Sequence, residues 1–517
     1  MNIRDMIGNL FIRLGVAAGA NPSYIPHVKK IFDAIDKRYA MYYDAASRDR
    51  LRNDWTTSTN TPYSNMKGDL KTLIARSRES TDNNGLSENI DNVFLSNVVH
   101  TGIKPAPVVR NRSGELDDRV NKKLDEGWKR YNDQWDRSSH STYYENQGLG
   151  LKTIINSGSV LRNTVPSAAG DYLPIANQLI EPDRLDFSAD INVRTMLDDA
   201  APGSQLQFGI YLDPYGRPEA FKVNGYPSSV PASNMDIRYR RRRTEQFIGV
   251  PWKAPVLTGI WDIGSLIEDR SIASRIQAMI ALWVNKKDAP RMIKNVDSNY
   301  KMAWEPGRVM YSDIKPEIIS SGEDVSKSFD PLTRLIQRNI AIGTGLSYQI
   351  LTKDLQGMNF AASRANILED RRIFRQVQKW FIKEFCQVDW QIFVKWMFLS
   401  GKMAPFTYAD YLADPWKYNQ CYWQPPGWDW VDPLKDAKAA IELNNNNMLS
   451  LEDHYGEKGK RWDVELEKIA REKKKVKELE EKYGVNMSAE DVNADAADAA
   501  SLENAIQNIL EEHGVEK

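Results

Sequence analysis

The sequence predicts a helix-rich α+β fold, and three observations carry this prediction. With 41% hydrophobic and 27% charged residues among 517, the chain has the composition of an ordinary globular protein with more than one core. Short helical and strand patterns alternate up to about residue 263. Long helical patterns dominate the rest of the chain. Together the two halves favour the α+β class.

The first half contains helical and strand patterns that turn residues separate. Helical spacing covers residues 69–78 and 119–135. Strands are predicted at residues 93–99, 158–164, 206–212 and 220–223. Turn sequences lie at residues 82–85 (DNNG), 112–114 (RSG) and 213–216 (DPYG), and the last of them predicts a hairpin.

Two helices flank a short excursion in the middle of the chain. Apolar residues recur at helical period over residues 266–284, and Lys286 and Lys287 suit the carboxyl end of that helix. A second helix is predicted over residues 331–342, because proline is favoured in a first turn. The segment between them includes a turn at residues 304–307 (WEPG) and a strand at residues 308–311.

The last third begins with a polar segment without periodicity at residues 352–359 and continues with one long helical pattern at residues 361–397. Residues 423–428 (WQPPGW) are irregular but rich in side chains that are usually buried. A charged helix is predicted over residues 462–483. The acidic, alanine-rich tail after Asn486 is either a loose helix or disordered.

Composition excludes several classes of protein. Sixty-nine basic and 70 acidic residues nearly balance, so bulk electrostatics does not favour nucleic-acid binding and any DNA contact is local. Cys386 and Cys421 are too few for a disulfide framework, which indicates assembly in a reducing compartment. Charged residues interrupt the first apolar stretch, so no signal peptide is predicted, and no apolar run is long enough for a membrane span.

No motif nominates a catalytic residue, a metal ligand or a cofactor-binding residue. Residues 322–328 (GEDVSKS) are one residue short of a phosphate-binding loop and lack its second glycine. The five histidines are scattered singly, so neither a metal cluster nor a Ser/His pair can be assembled from spacing. A two-metal nuclease built from separated carboxylates remains open at this stage.

The sharpest basic feature is the run at residues 238–243 (RYRRRR). Its members Arg240, Arg241, Arg242 and Arg243 could contact phosphates or bases, or they could form a solvated edge or a subunit interface with acidic neighbours. Lys286 and Lys287 could likewise face a DNA channel or merely complete a helix end.

Several segments, taken in order, resemble the portal proteins of the lambda family of tailed double-stranded DNA phages. They are residues 43–55 (YDAASRDRLRNDW), 73–78 (LIARSR), 101–103 (TGI), 180–185 (IEPDRL), 246–251 (QFIGVP), 304–307 (WEPG), 341–348 (AIGTGLSY) and 359–364 (NFAASR). The resemblance runs from about Tyr43 to Gly401, and so covers most of the chain.

The resemblance implies a wing, stem, clip and crown architecture. Residues 1–263 would form the amino-terminal α+β part of the wing, 264–287 and 331–343 the two stem helices, and 288–330 the clip between them. Residues 344–360 would form the tunnel loop, 361–461 the long helix and the return to the wing, and 462–517 the crown helix and acidic tail.

The resemblance also implies a function without catalysis or cofactor. Such subunits form a homo-oligomeric ring of about twelve copies at one capsid vertex, where double-stranded DNA is packaged and ejected. The implied partners are the large terminase subunit, the head-completion adaptor, and the major capsid and scaffolding proteins. No membrane contact is implied. Lys353, Asp354, Gln356 and Asn359 would lie in the tunnel loop, near the DNA. The protein would be assembled in the host cytoplasm and end in the virion.

Three alternatives stay open on the sequence alone. If the chain is a packaging nuclease or ATPase, the purified protein would cleave DNA or hydrolyse nucleotide. A capsid, minor head or adaptor subunit would form shells or adaptor rings. A protease fused at the carboxyl end would need a Ser/Lys or Ser/His arrangement, which the short region after Trp462 lacks.

Overall fold

The structure is a computed structural model that describes residues 54, 59–187, 191–192, 204–285, 308–312, 323–356, 359–428, 433–458, 460 and 462–483. The chain divides into two units, Met1–Thr61 and Pro62–Lys517. In the first unit only residues 54 and 59–61 are described. All the helices and strands given below belong to the second unit.

Helices supply most of the regular structure in these residues. In chain order they are α1 Pro62–Met66, α2 Leu70–Asn83, α3 Gly85–Phe94, α4 Asp118–Gln134, α5 Tyr143–Ser157, α6 Leu257–Met279, α7 Glu323–Thr344, α8 Tyr348–Thr352, α9 Phe360–Phe381, α10 Gln387–Leu399, α11 Tyr408–Ala413, α12 Pro415–Tyr418, α13 Pro433–Asn445, α14 Leu451–Glu457 and α15 Trp462–Tyr483. Single π-helical turns follow α3 at Leu95–Val99 and join α9 to α10 at Ile382–Cys386.

The strands are short and form separate small sheets. They are β1 Lys104–Pro107, β2 Ser159–Pro166, β3 Ile175–Ile180, β4 Ile191–Asn192, β5 Gln205–Gln207, β6 Ile210–Leu212, β7 Pro218–Phe221, β8 Val230–Pro231, β9 Met235–Tyr239, β10 Ile280–Asn285, β11 Arg308–Ser312 and β12 Cys421–Gln424. One antiparallel sheet has the order β3-β2-β9 and another runs from β4 to β8, while β1 pairs with β12 and β10 with β11.

Two apolar cores hold the second unit together. The larger core is built on α3, α4, α5, α9 and α10, with contributions from the ends of α6 and α7. Its centre is aromatic: the Trp128 ring meets the rings of Tyr143 and Phe393 edge-on at 4.9 and 5.0 Å between centroids, a favoured geometry for aromatic pairs. The smaller core joins α1 and α2 to the sheets around Leu161, Ile210 and Phe221. Helix-rich α+β is therefore the observed class, as predicted.

Several predicted elements are confirmed, most of them with ends shifted by one or more residues. The helices predicted at residues 69–78 and 119–135 correspond to α2 and α4, and the charged helix at 462–483 is α15. The strand at 158–164 is β2, and the turn at 213–216 joins β6 to β7. The helix predicted at 361–397 is present as α9 and α10 with a π-helical turn between them.

The strand predicted at residues 93–99 is wrong. These residues complete α3 and form the following π-helical turn. Val93, Phe94, Val98 and Val99 are all at most 7% exposed. Packing of these four side chains against the larger core overrode the strand preference of the valines.

The two helices around the excursion also differ from the prediction. Helix α6 begins earlier than predicted, at Leu257, and ends at Met279, where β10 follows in place of a continued helix. Helix α7 begins at Glu323, so the phosphate-loop-like residues from Glu323 to Ser328 are helical and Pro331 lies inside the helix. The strand predicted at 308–311 is confirmed as β11.

Some predictions fall outside the described residues. These are the cations Lys286 and Lys287, the turn at 304–307, the tail after Asn486 and all of the signature at 43–55 except residue 54.

Candidate assembly and DNA-contact surfaces

The arginine run divides into one buried member and an outer group. Strand β9 places Arg238 inside the protein, where Nη2 and Nη1 donate to Oδ1 and Oδ2 of Asp389 at 2.6 and 3.1 Å. Its Nε donates to Asp236 Oδ1 at 2.9 Å. The guanidinium also lies 4.4 Å from the centre of the Phe385 ring. Arg238 is therefore a structural residue and is not available to DNA.

A second arginine completes this buried group of charges. Arg162 on β2 faces Asp236 in the strand register and pairs with its carboxylate, while its Nε lies 3.5 Å from Asp389 Oδ1. Burial by itself raises the pKa of the Asp236 carboxyl, but the charges of Arg162 and Arg238 outweigh it and hold that pKa below its usual value. We call these four residues the four-charge cluster. It joins the sheet to the amino-terminal end of α10.

The outer arginines follow β9, and two of them contact Trp252. The Arg240 guanidinium lies 5.5 Å from the centre of the Trp252 ring, and Arg242 Nη2 donates to the Trp252 carbonyl at 3.0 Å. Burial lowers the pKa of both guanidinium groups, and the charge of Arg240 lowers that of Arg242 further. Arg241 and Arg243 have exposed side chains. Arg240 and Arg242 thus lie against Trp252, and Arg241 and Arg243 continue the basic surface.

The glutamine of the QFIGVP segment shapes this basic surface. Gln246 Oε1 accepts the backbone N–H groups of Arg242 and Arg243 at 2.8 and 3.2 Å, and its Nε2 donates to the Ile248 carbonyl at 2.7 Å. A Cβ on Gly249 would lie 1.8 Å from the carbonyl oxygen of Gly158, so only glycine allows the two backbones to approach so closely. Sequence reasoning singled out this segment by resemblance, and the contacts supply its physical role.

The predicted tunnel-loop residues lie in the connection between α8 and α9. Lys353 ends α8 in the left-handed region, with φ 58°, and its N–H donates to the Gln349 carbonyl. Asp354 Oδ2 accepts from Tyr348 Oη at 3.2 Å, and Oδ1 accepts the N–H of Gln356 at 3.0 Å. Lys353 and Gln356 are exposed, so Asp354 shapes the connection while its neighbours face outward.

Hydrogen bonds fix the start of α9 after this connection and the start of α8 before it. Asn359 Oδ1 accepts the N–H of Ala362 at 2.8 Å and so caps α9. On the other side, Ser347 donates its N–H and Oγ–H to the carboxylate of Asp370, at 2.9 and 2.6 Å. Asp370 belongs to α9, so the start of α8 is held directly against the long helix.

Helices α6 and α7 pack against each other, and each also carries an apolar face that is exposed in the single chain. Ile260 and Ile340 face the larger core and are 1% exposed. Six large hydrophobic side chains on these two helices are exposed: Trp261 67%, Ile267 52%, Ile272 45%, Leu332 45%, Leu335 54% and Ile342 77%. Exposed apolar side chains on neighbouring helices favour a protein interface.

A buried lysine anchors the segment before α6, and no sequence pattern indicated it. Lys253 is fully buried, and its Nζ lies 2.8 Å from Asp91 Oδ1. The same ammonium donates to Thr81 Oγ1 at 2.5 Å and to Ser87 Oγ at 3.0 Å. Burial raises the pKa of Asp91 and lowers that of Lys253, and in each case the partner's charge opposes the shift. The pair ties the start of α6 to α2 and α3.

The described residues contain no group of three or more His, Cys, Asp or Glu side chains that could hold a metal ion. Across that same part of the chain, no helix is both long and apolar enough to cross a membrane. Cys386 is buried, which raises the pKa of its thiol, and Cys421 is half-buried. Neither cysteine forms a disulfide.

Several known proteins are similar to this chain in sequence or in structure. The family described as phage portal protein, lambda family, matches residues 48–378. A probable portal protein of Halomonas phage phiHAP-1 is 23% identical over 472 residues, covering 84% of this chain and 87% of that protein. Among solved structures, the neck of a native GTA particle computed with C12 symmetry is 11% identical, with a TM-score of 0.36 over 74% of this chain and 91% of that chain. The virion of a native gene transfer agent particle gives a TM-score of 0.35 with the same coverage.

Proposed function

The chain belongs to the lambda family of phage portal proteins and is a portal subunit, and from this premise we propose that about twelve copies close into a ring around a DNA channel. The ring would stand at one vertex of the capsid. DNA would pass through it during packaging and again during ejection.

The observation that supports ring closure most directly is the exposed apolar surface of α6 and α7. Six large hydrophobic side chains on these helices are at least 45% exposed in the single chain. Burying such surface against a neighbour is favourable by about 25 cal/mol for each Å² removed from water. An interface between unlike patches of identical subunits closes into a ring when the rotation between subunits permits.

We assign the parts of the ring by the family resemblance and the element order. The wing would comprise residues 1–263. The stem would comprise residues 264–287, which include most of α6, and residues 331–343 of α7, with the clip at residues 288–330 between them. Residues 344–360 would be the tunnel loop, and 361–461 the long helix and its return to the wing. Helix α15 and the tail would form the crown at 462–517. The pairing of β1 with β12 supports a return of the chain, because residues 421–424 join a strand of the first half.

The partners proposed for this ring follow from its place in the virion. The clip would bind the large terminase subunit during packaging and the head-completion adaptor afterwards, and the wing would contact the major capsid and scaffolding proteins. The subunit would contribute no catalysis, because the ATPase supplies the energy. Assembly would take place in the host cytoplasm. Lys286 and Lys287 stay candidates for the channel lining, and we assign Arg240, Arg241, Arg242 and Arg243 to a protein contact.

Electron microscopy of the purified chain tests this proposal. Rings with an axial channel wide enough for B-form DNA are expected, and native mass should give a closed oligomer of about twelve copies. A chain that stays monomeric at all protein and salt concentrations would contradict the portal ring. Shells, or cleavage of DNA or ATP by the pure chain, would point instead to the rival functions.

Alanine at Lys353, Asp354 and Gln356 together is expected to reduce the DNA retained in filled particles by roughly three- to tenfold, because one phosphate contact per subunit and the fixed loop shape are both lost. The DNA content of purified particles measures this. A matched control replaces the exposed pair Lys129 and Asp125 of α4, which join at 2.8 Å, and should leave the content unchanged. Unchanged retention in the triple variant would remove these residues from the list of DNA contacts.

A further inference from the structure

A cleft of about 630 Å³ lies between α2 and α6. Glu79 and Arg76 of α2 line one side, and Trp261, Asp262 and Glu268 of α6 line the other. Three carboxylates against one guanidinium give the cleft an acidic character. Trp261 at its edge is 67% exposed, which is unusual for the largest apolar side chain.

The cleft is fixed by its surroundings. Ile260 and Ile263, on either side of Trp261, are 1% and 3% exposed and belong to the larger core, so the helix must turn the indole outward. Asn84 Nδ2 donates to the Ile260 carbonyl at 3.4 Å and joins the end of α2 to α6. Tryptophan is enriched among the residues that contribute most binding energy to protein interfaces, and a preformed concave surface lowers the entropy cost of binding.

The same chain carries a surface of opposite charge on its long helix. Arg372, Arg375, Lys379 and Lys383 have exposed side chains on α9 and the π-helical turn after it. Arg372 lies 3.0 Å from Glu369, Lys383 lies 3.4 Å from Glu384, and the Arg375 guanidinium lies 5.8 Å from the centre of the Trp428 ring. Residues 369–384 contain five basic and three acidic residues, so this surface is basic overall. Ile367 and Leu368, 38% and 44% exposed, add apolar area to it.

We propose that the acidic cleft around Trp261 receives the basic surface of α9 from the adjacent subunit, and that this pair is the charge-specific contact of the ring. The inference rests on the proposed ring and names its two contacting patches. A ring of identical subunits needs two unlike patches on each copy, one for each neighbour. These two patches are unlike, opposite in charge, and both contain exposed apolar side chains.

Complementary charge would give this contact its specificity. Juxtaposed like charges oppose association, whereas opposite charges steer encounter and fix register. The indole face of Trp261 can also accept an arginine by a cation–π contact.

Charge exchange between the two patches tests the inference. One variant reverses the cleft, Glu79→Lys with Glu268→Lys, and another reverses the helix, Arg372→Glu with Lys379→Glu. Each is expected to assemble at least about tenfold less readily alone, because every contact then joins like charges. Mixing the two should restore rings in which they alternate, and so should placing all four substitutions on one chain.

Native mass spectrometry with one isotopically labelled variant detects the alternation, and thermal unfolding of each variant checks that the monomer is intact. Rings from either variant alone at wild-type concentration would overturn the inference while leaving the portal ring standing. The inference would also be overturned if neither the mixture nor the fourfold variant formed rings, since charge repulsion would then not be the cause of the lost assembly. A wild-type chain without rings would instead contradict the proposed function itself.

Discussion

Replacing Lys253 with methionine is expected to lower the free energy of unfolding by about 3–5 kcal/mol, the range for removing one partner of a buried ion pair. Methionine fills a similar volume but carries no charge and no donor. Asp91 would then remain buried without the ammonium that lies 2.8 Å away, and the hydroxyls of Thr81 and Ser87 would lose the donor that now reaches them. The loss would fall on the segment that positions α6.

Urea unfolding followed by tryptophan fluorescence measures this effect. Lys152→Met is the matched control, because Lys152 pairs with Glu88 at 3.1 Å while both side chains are 37% exposed, and such a pair contributes at most about 1 kcal/mol. The double variant Lys253→Met with Asp91→Leu should recover much of the loss, since the uncompensated charge is gone. Equal urea midpoints for Lys253→Met and the control would show that the buried pair contributes nothing.

Periodicity predicted those elements whose two faces differ. Helix α4 buries Val120, Leu124 and Tyr131 and exposes charged residues between them, so its pattern is legible in the sequence. The segment Leu95–Val99 is only one turn long, and its valines favour a strand, so its pattern did not indicate a helix. The change from α6 to β10 at Ile280 lies within an apolar run, residues 278–284, which suits either a strand or a buried helix.

The candidate surfaces could be predicted from the sequence only where neighbouring residues in the chain determine the structure. The connection containing Lys353 and Asp354 is polar and lies between helices, so sequence alone indicated a loop there. The sequence did not show that Arg238 is the buried member of the arginine run, because its burial depends on Asp389, 151 residues later in the chain. The exposure of Trp261 could not be predicted from the sequence either, since a tryptophan on an amphipathic helix normally faces the core. Long-range packing decides each of these cases.

Replacing Asp389 with alanine is expected to lower the free energy of unfolding by about 3–5 kcal/mol as well, because two buried guanidinium groups would share one remaining carboxylate. Asp389 is 2% exposed, and its carboxylate accepts hydrogen bonds from both terminal nitrogens of Arg238. Asp125→Ala removes an exposed partner on α4 and should shift the urea midpoint little. A midpoint for Asp389→Ala equal to that control would contradict the structural role of the four-charge cluster.

The same cluster predicts how stability falls in acid. The ordinary pKa of an aspartate is near 3.9, and the pKa of Asp236 is held below that value in the folded protein. At moderately acid pH this carboxyl group therefore binds fewer protons in the folded state than in the unfolded state. Its stabilisation is therefore fully present above about pH 4 and is lost as pH falls through the lower folded value. Asp236→Asn, which cannot titrate, should be less stable than wild type at pH 7 and should show a shallower decline below pH 4. Parallel pH profiles for the two proteins would mean that Asp236 takes no part in the acid transition.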